Sequence, residues 1–210
     1  MRGMSASISP LIVPANGCRR ERWRNGAGWT REILCVPGRD ADWAARLSIA
    51  EIETEADYSL FPGVMREQVL LSGDGLELRF ADGARQELLP PHGTARFSGQ
   101  RPLRGRPLGR RAEAFNLMWR PDALDAHVLH RPLVGPMLFF CDATTSWAVH
   151  LMGGRARLGR VDDDPVLLER GDTALLHEDA GRRFLLDGGA DLLLVRFDRL
   201  PPPGDPLRND

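Results

Sequence analysis

The stretch Leu70-Leu71-Ser72-Gly73-Asp74-Gly75-Leu76-Glu77-Leu78-Arg79-Phe80-Ala81-Asp82-Gly83 decides the fold class. Leu76, Leu78 and Phe80 alternate with Glu77 and Arg79. That period of two places the apolar side chains on one face of a half-buried strand. Gly73-Asp74-Gly75 before it and Asp82-Gly83 after it are hairpin signals. Working outward, apolar runs of strand length recur at 29–36, 67–72, 113–119, 137–142, 147–152, 173–177, 182–186 and 190–197. Many short strands broken by regular turns predict an all-β sandwich or barrel. Only the window 39–61, rich in Ala and Glu, is long enough for a helix. Trp43, Leu47 and Ala50 fit a helical stripe, but Leu47 and Ile49 set against Arg46 and Ser48 favour a strand over 45–53.

Composition agrees. The chain has 210 residues, enough for one large or two small domains, with 42% hydrophobic and 27% charged residues and a formal net charge of −1. That balance excludes the global basic field of a dedicated nucleic-acid binder and the composition of a disordered acidic tail. The 22 Gly and 16 Pro are spread along the chain and argue against a helix bundle. All 28 basic residues are Arg, which excludes a Schiff-base, P-loop or general-base lysine. Cys18, Cys35 and Cys141 lie far apart with no C-x-x-C, so neither a disulfide framework nor a zinc knuckle is expected, but buried, reduced thiols. Leu11-Ile12-Val13 before Pro14 is too short for a signal segment, and Met137-Leu138-Phe139-Phe140-Cys141 is far below a membrane span. A cytoplasmic protein with no membrane partner is expected.

A faint internal repeat adds organisation. Leu70-Leu71-Ser72-Gly73 is followed by Leu88-Leu89 and then Gly93, Thr94 and Ala95. His150-Leu151-Met152-Gly153 is followed by a turn at Asp162-Asp163-Asp164-Pro165, then Leu167-Leu168, Gly171, Thr173 and Ala174. The repeat predicts two similar barrels, over 1–120 and 121–210, with strands exchanged between the halves.

The order of strands, Gly turns and the steps Pro91-His92-Gly93 and Arg170-Gly171-Asp172 resembles the cupin architecture. Metal-binding cupins need an H-x-H, a Glu and a later His. Here no histidine precedes Gly73, and His150 has no H-x-H companion. His127 and His130 sit in an extended-looking segment before Pro132, read as a surface strand or loop. No metal and no cofactor are expected.

Four segments are more specific. They are Trp23-Arg24-Asn25-Gly26-Ala27-Gly28-Trp29-Thr30-Arg31-Glu32-Ile33, then Arg46-Leu47-Ser48-Ile49-Ala50, then Tyr58-Ser59-Leu60-Phe61-Pro62-Gly63-Val64-Met65-Arg66, and Ala114-Phe115-Asn116-Leu117-Met118. In order and spacing they resemble the HutD/Ves family, over about 20–197. Two departures stand in the motifs: Met65 where the family carries an acid before the arginine, and Ala45 where it carries a tryptophan. The resemblance implies a bicupin of two cupin-like antiparallel β-barrels. It also implies a link to bacterial histidine utilisation, with binding of formylglutamate-like intermediates and a regulatory role.

Within these motifs Arg66 is the expected anchor for a small carboxylate ligand. Period two puts Arg66, Gln68 and Leu70 on one face and Glu67, Val69 and Leu71 on the other. The resemblance turns Arg66 toward the barrel mouth, where a guanidinium grips a carboxylate through two parallel hydrogen bonds. Glu32 or Glu51 is the alternative, purely structural partner for it. Asn25, Thr30, Glu32, Ser48 and Asn116 are the expected polar neighbours and Trp23 the expected lid. Asn116 shares a face with Met118. Binding without turnover is favoured over a metal-independent, isomerase-like cupin enzyme with His92 or Glu32 as base. The Arg-rich 96–111 loop, with Arg96, Arg101, Arg104, Arg106, Arg110 and Arg111, contains an Arg104-Gly105-Arg106-Pro107 step like an AT-hook core. A solvated loop at an interdomain or homodimer surface is expected there, with nucleic acid disfavoured as a partner.

Overall fold

The computed structural model describes residues 10–23, 25–38, 43–160, 164–177 and 183–200. Its strands, in chain order, are β1 (Leu11–Val13), β2 (Arg19–Arg22), β3 (Gly28–Val36), β4 (Ala45–Ile52), β5 (Ala56–Asp57), β6 (Met65–Ser72), β7 (Leu76–Phe80), β8 (Arg85–Leu88) and β9 (Thr94–Ser98). They continue as β10 (Leu103–Pro107), β11 (Ala112–Trp119), β12 (Leu124–Val134), β13 (Met137–Phe140), β14 (Thr145–Arg160), β15 (Val166–Glu169), β16 (Thr173–Leu176) and β17 (Arg183–Arg199). The described strands pair antiparallel. The only helical element among the described residues is the 3-10 turn Ala15–Gly17, and no described helix is long and apolar enough to cross a membrane.

The chain divides into two units, each described by itself. One comprises Asn16–Val128 with Arg199–Asp210. It holds a six-stranded sheet in the order β2-β3-β4-β11-β6-β9 and a four-stranded sheet in the order β5-β10-β7-β8. β4 shows why its helix-like stripe is misleading. It is hydrogen-bonded along its length to β3 and β11, and nearly every side chain on it is buried, so both strand faces are covered even though Arg46, Ser48 and Glu51 are polar. Ile52, Leu70, Leu76, Leu78, Leu88 and Ala114 belong to this unit's apolar core. The polar residues of the same sheet lie further along β4, β6 and β11.

The other unit comprises Met1–Ala15 and Leu129–Asp198. Its seven-stranded sheet runs β1-β16-β14-β17-β12, with β15 on β14 and β13 on β17. Val149, Leu151, Leu158, Phe184, Leu192 and Phe139 are among the side chains filling its core. His150 is buried, its Nδ1 2.9 Å from Thr173 Oγ1.

Several expectations need correction. The Arg-rich 96–111 segment is not a solvated loop: it contributes to β9 and forms β10, which is paired between β5 and β7. Its arginines offset nearby acids: Arg101 bonds Asp82, Arg104 bonds Asp57, and Arg106 bonds Glu77. The runs 182–186 and 190–197 are one strand, because Gly188 and Gly189 continue the β14 ladder opposite Ala156 and Arg155 instead of turning. The segment holding His127, His130 and Pro132 is, as expected, a largely exposed strand, part of β12. His127 lies 3.0 Å from Asp125 and His130 lies 2.6 Å from Asp191. Of the three cysteines, none of them in a disulfide, only Cys141 is buried. Cys35 is exposed and Cys18 half-buried. Residues 39–42 of the helix-or-strand window, Asp162-Asp163 of the expected turn, and Arg182 lie outside the described residues.

Candidate functional site

β4, β11 and β6 lie side by side, and their register sets the site. Ser48 pairs with Asn116 and Asn116 with Gln68. One step along, Arg46 pairs with Met118 and Met118 with Arg66. Side chains opposed across an antiparallel ladder share a face. One face therefore carries a row of three neutral polar groups beside a row in which two guanidinium groups flank a methionine. A cavity of about 480 Å³ opens on these rows.

The remaining walls come from turns. Trp23 and Asn25 precede β3, Thr30 lies on it, and Tyr58 and Phe61 follow β5; all line the cavity. The Trp23 indole N–H donates to Thr30 Oγ1 at 2.8 Å, and its ring meets Tyr58 edge-on with centroids 6.4 Å apart. Gly26, with φ +72°, turns the chain back, its N–H donating to Trp23 O, while Ala27 N–H donates to Asn25 Oδ1. Tyr58 packs over Gly105 so closely that a Cβ there would lie 2.5 Å from the ring. Only glycine permits that approach.

Arg66 is 7% exposed. Its Nε and Nη2 donate to Asn116 Oδ1 at 3.3 and 2.9 Å, and its guanidinium carbon stands 4.8 Å from the Tyr58 ring centroid and 5.4 Å from that of Phe97. Among the described residues no carboxylate pairs with it. Glu51 is engaged by Arg20 and Arg31, and Glu32 by Arg46. Burial pulls the Arg66 guanidinium down to about 10, well below its ordinary value. The Tyr58 phenol opposes that fall and the Arg46 charge adds to it. Burial also pushes the Tyr58 phenol up, opposed by Arg66 and the bond to Gln68.

The floor forms one hydrogen-bond relay. Tyr58 O–H donates to Gln68 Oε1, Gln68 Nε2 and Arg66 donate to Asn116 Oδ1, and Asn116 Nδ2 donates to Ser48 Oγ. The amide acceptors are thereby occupied. Nη1 of Arg66 and the Ser48 hydroxyl proton have no assignment in this relay. Such a floor suits an acceptor-rich anion.

Six of the seven residues singled out in the sequence line the cavity: Trp23, Asn25, Thr30, Ser48, Arg66 and Asn116. Glu32 does not. Its carboxylate holds Arg46 Nε and Nη2 at 2.7 and 2.6 Å. His92 is also absent from the lining, its Nδ1 lying 3.3 Å from Leu70 O, so neither base considered for an enzyme lines the cavity. Sequence reasoning passed over Arg46, Tyr58 and Gln68. Signals existed: Gln68 shares the Arg66 face by alternation, Arg46 stands two residues before Ser48, and Tyr58 is the only tyrosine. The lining includes no histidine or cysteine. Its two carboxylates, Glu21 and Asp57, are largely exposed and bound to Arg19 and Arg104, so no residue set of the kind that holds a cupin metal lines the cavity.

The family model described as HutD matches residues 15–194. Protein Ves of Cronobacter sakazakii is 41% identical over 108 residues, 50% of this chain and 58% of the relative. An uncharacterized 21.2 kDa protein in the hutC 3′ region of Pseudomonas putida is 35% identical over 56% of this chain and 62% of its own length. Protein Ves of Citrobacter koseri is 32% identical over 85% of this chain and 89% of its own. The matched stretch thus spans under two thirds of the first two relatives. Among solved structures, a conserved protein of unknown function from Pseudomonas aeruginosa PAO1 has a TM-score of 0.80 at 26% identity, covering 92% of this chain and 100% of that one. A structure of HutD from Pseudomonas fluorescens SBW25, in a formate condition, has a TM-score of 0.77 at 22% identity over 92% of this chain and 100% of that one. An oxalate decarboxylase from Lactobacillus farciminis, as a formate complex, has a TM-score of 0.64 at 10% identity over 93% and 87%, which extends the likeness to a cupin-like β fold.

Proposed function

The chain belongs to the HutD family, and from that premise we propose that it is a metal-free bicupin that binds a small carboxylate on Arg66, in a regulatory role. The observation that carries this reading is the buried Arg66 guanidinium, unpaired with any described acid, on the floor of a cavity of about 480 Å³. An ionised group out of water is costly unless an opposite charge and hydrogen bonds compensate it. A carboxylate offers both, and Arg holds it bidentately. The family's association with histidine utilisation makes a formylglutamate-like intermediate of histidine degradation the first candidate. Binding without turnover is preferred, because neither His92 nor Glu32 is among the residues lining the cavity beside Arg66.

Isothermal titration and thermal-shift measurements with formate, acetate and N-formylglutamate test the reading. Saturable binding is expected, and a ligand at 100 times its Kd adds about 2.7 kcal/mol of stability. Arg66→Gln should abolish it. Absence of any carboxylate-dependent heat or stabilisation in the native protein, or full retention in Arg66→Gln, refutes the assignment.

A further inference from the structure

Arg46, Met118 and Arg66 stand in one cross-strand row, and its two guanidinium groups are held in the same way. Arg66 spends Nε and Nη2 on Asn116 Oδ1, and Arg46 spends Nε and Nη2 on Glu32 Oε2. An arginine fork has five donors, so each group keeps its Nη1–Nη2 edge, which can take a carboxylate through two parallel bonds. All three residues of the row line the cavity. Two ladder steps, about 9.5 Å between Cα atoms, separate the row's outer members. The two charges feel each other, since Arg46 helps to lower the proton affinity of Arg66. The other charged lining residues do not repeat this arrangement. Glu21 and Asp57 are exposed acids bound to Arg19 and Arg104. Arg22 donates to Gly26 O, and its guanidinium carbon stands 4.9 Å from the centroid of the Trp29 ring, which alternation places on the opposite face of β3 from Thr30.

We propose that Arg46 is a second anchor, and that the site takes a dicarboxylate whose short linker lies over Met118. The inference rests on the carboxylate reading above and adds where the far end of the ligand goes. A neutral amide holds Arg66, so Arg66 meets the first carboxylate with its charge uncompensated. A carboxylate holds Arg46, so Arg46 meets the second with its charge partly offset and contributes less affinity than Arg66. Glu32, by occupying one edge of the Arg46 fork, limits how the other edge can turn and so acts as a positioning residue. Met118 between the two cations offers adaptable thioether and methylene surface, which suits the carbons of a linker and no third charge. A formylglutamate-like acid is one member of this ligand class.

Two probes of nearly equal size isolate the effect: glutarate and its monoamide, which differ by one charge. Titration calorimetry on the native protein should show glutarate binding about tenfold or more tighter than the monoamide. Arg46→Gln should erase that preference and leave monoamide affinity within about threefold of native, which also reports that the Arg66 site is still folded. Arg46→Lys, which keeps the charge without the fork, should retain only part of the preference. Arg22→Gln should leave it unchanged. A native protein that binds the monoamide as tightly as glutarate, a preference that survives Arg46→Gln, or one lost equally in Arg22→Gln overturns the inference and leaves the carboxylate site standing. If neither probe binds the folded native protein, the carboxylate reading fails, and the role of Arg46 falls with it.

Discussion

Replacing Arg66 by methionine separates the cost of the site from its use. The guanidinium is held at about 10, well below its ordinary value, chiefly by burial. That difference disfavours the buried cation by about 3 kcal/mol, at about 1.4 kcal/mol for each tenfold change in proton affinity. The folded value lies below the unfolded one, so this cost is complete below about pH 10 and is relieved only as pH rises from there toward the unfolded value. Methionine removes it and keeps an adaptable apolar side chain against Tyr58 and Phe97. Against this, Asn116 Oδ1 loses two donors from Arg66 and keeps the one from Gln68, a cost of about 1–2 kcal/mol. Loss of the cation above the aromatic rings costs about 1 kcal/mol more. The sum is close to zero, on the stabilising side: Arg66→Met should lie within about 1 kcal/mol of the native protein in carboxylate-free buffer. At this chain length that means a Tm change of about 2–4 °C or less. Equilibrium urea denaturation without and with a saturating carboxylate is the assay. The native protein should be stabilised by ligand and the variant should not. A loss above about 2 kcal/mol without ligand would show that Arg66 is compensated within the fold, and the reasoning would be wrong.

Gly105→Ala should drive its new Cβ against Tyr58, since the ring stands 2.5 Å from that position. A cost of about 1–3 kcal/mol in urea denaturation and weaker carboxylate binding are expected, and a variant native in both respects would contradict the packing. Acid should destabilise the protein. Burial raises the Glu51 carboxyl, but Arg20 and Arg31 outweigh that and hold it below its ordinary value. Asp82, bonded by Ala84 N–H and Arg101, is also lowered. Lowered carboxyls contribute stability that is present above the unfolded range near pH 4–4.5 and lost as pH falls through the folded values, so Tm should be flat above about pH 5 and drop below about 4.5. Glu51→Gln should flatten that drop; an unchanged profile counts against the pairing. Elemental analysis of tag-free protein should find no stoichiometric Zn, Fe, Mn or Ni, and a stoichiometric ion would overturn the metal-free reading.

The strands best read from sequence are those with one wet face or a clean turn at each end. β7 is bounded by glycine turns, and its expected and observed ends coincide at Leu76 and Phe80. β10 escaped notice because Leu103-Arg104-Gly105-Arg106-Pro107 has the composition of a loop. It is held as a strand by hydrogen bonds to β7 and β5, and by Asp57 and Glu77, which lie far away in sequence and neutralise its arginines. Local propensity gives way to tertiary context in such a strand. β17 was divided for the opposite reason. A Gly-Gly step reads as a turn, yet glycine is also what allows a long strand to bend beside a neighbouring backbone.

The site shows how far a period of two reaches. Alternation alone puts Arg66 with Gln68, and Asn116 with Met118, and both pairs line the cavity. It cannot tell which of two faces closes over a cavity when both are largely buried, as Val69 and Leu70 are on β6. Nor does it say where a long side chain ends. Glu32 is opposite Ser48 in the β3–β4 ladder and so belongs to the binding face. Its carboxylate goes to Arg46 instead of the cavity, because a guanidinium two residues from Ser48 on the neighbouring strand is within reach. In a chain whose 28 basic residues are all arginine, a cation cannot readily be neutralised by giving up its proton. Each arginine at the face must therefore have a partner or wait for one. Arg46 has Glu32, whereas Arg66 has an amide, aromatic rings and the cavity.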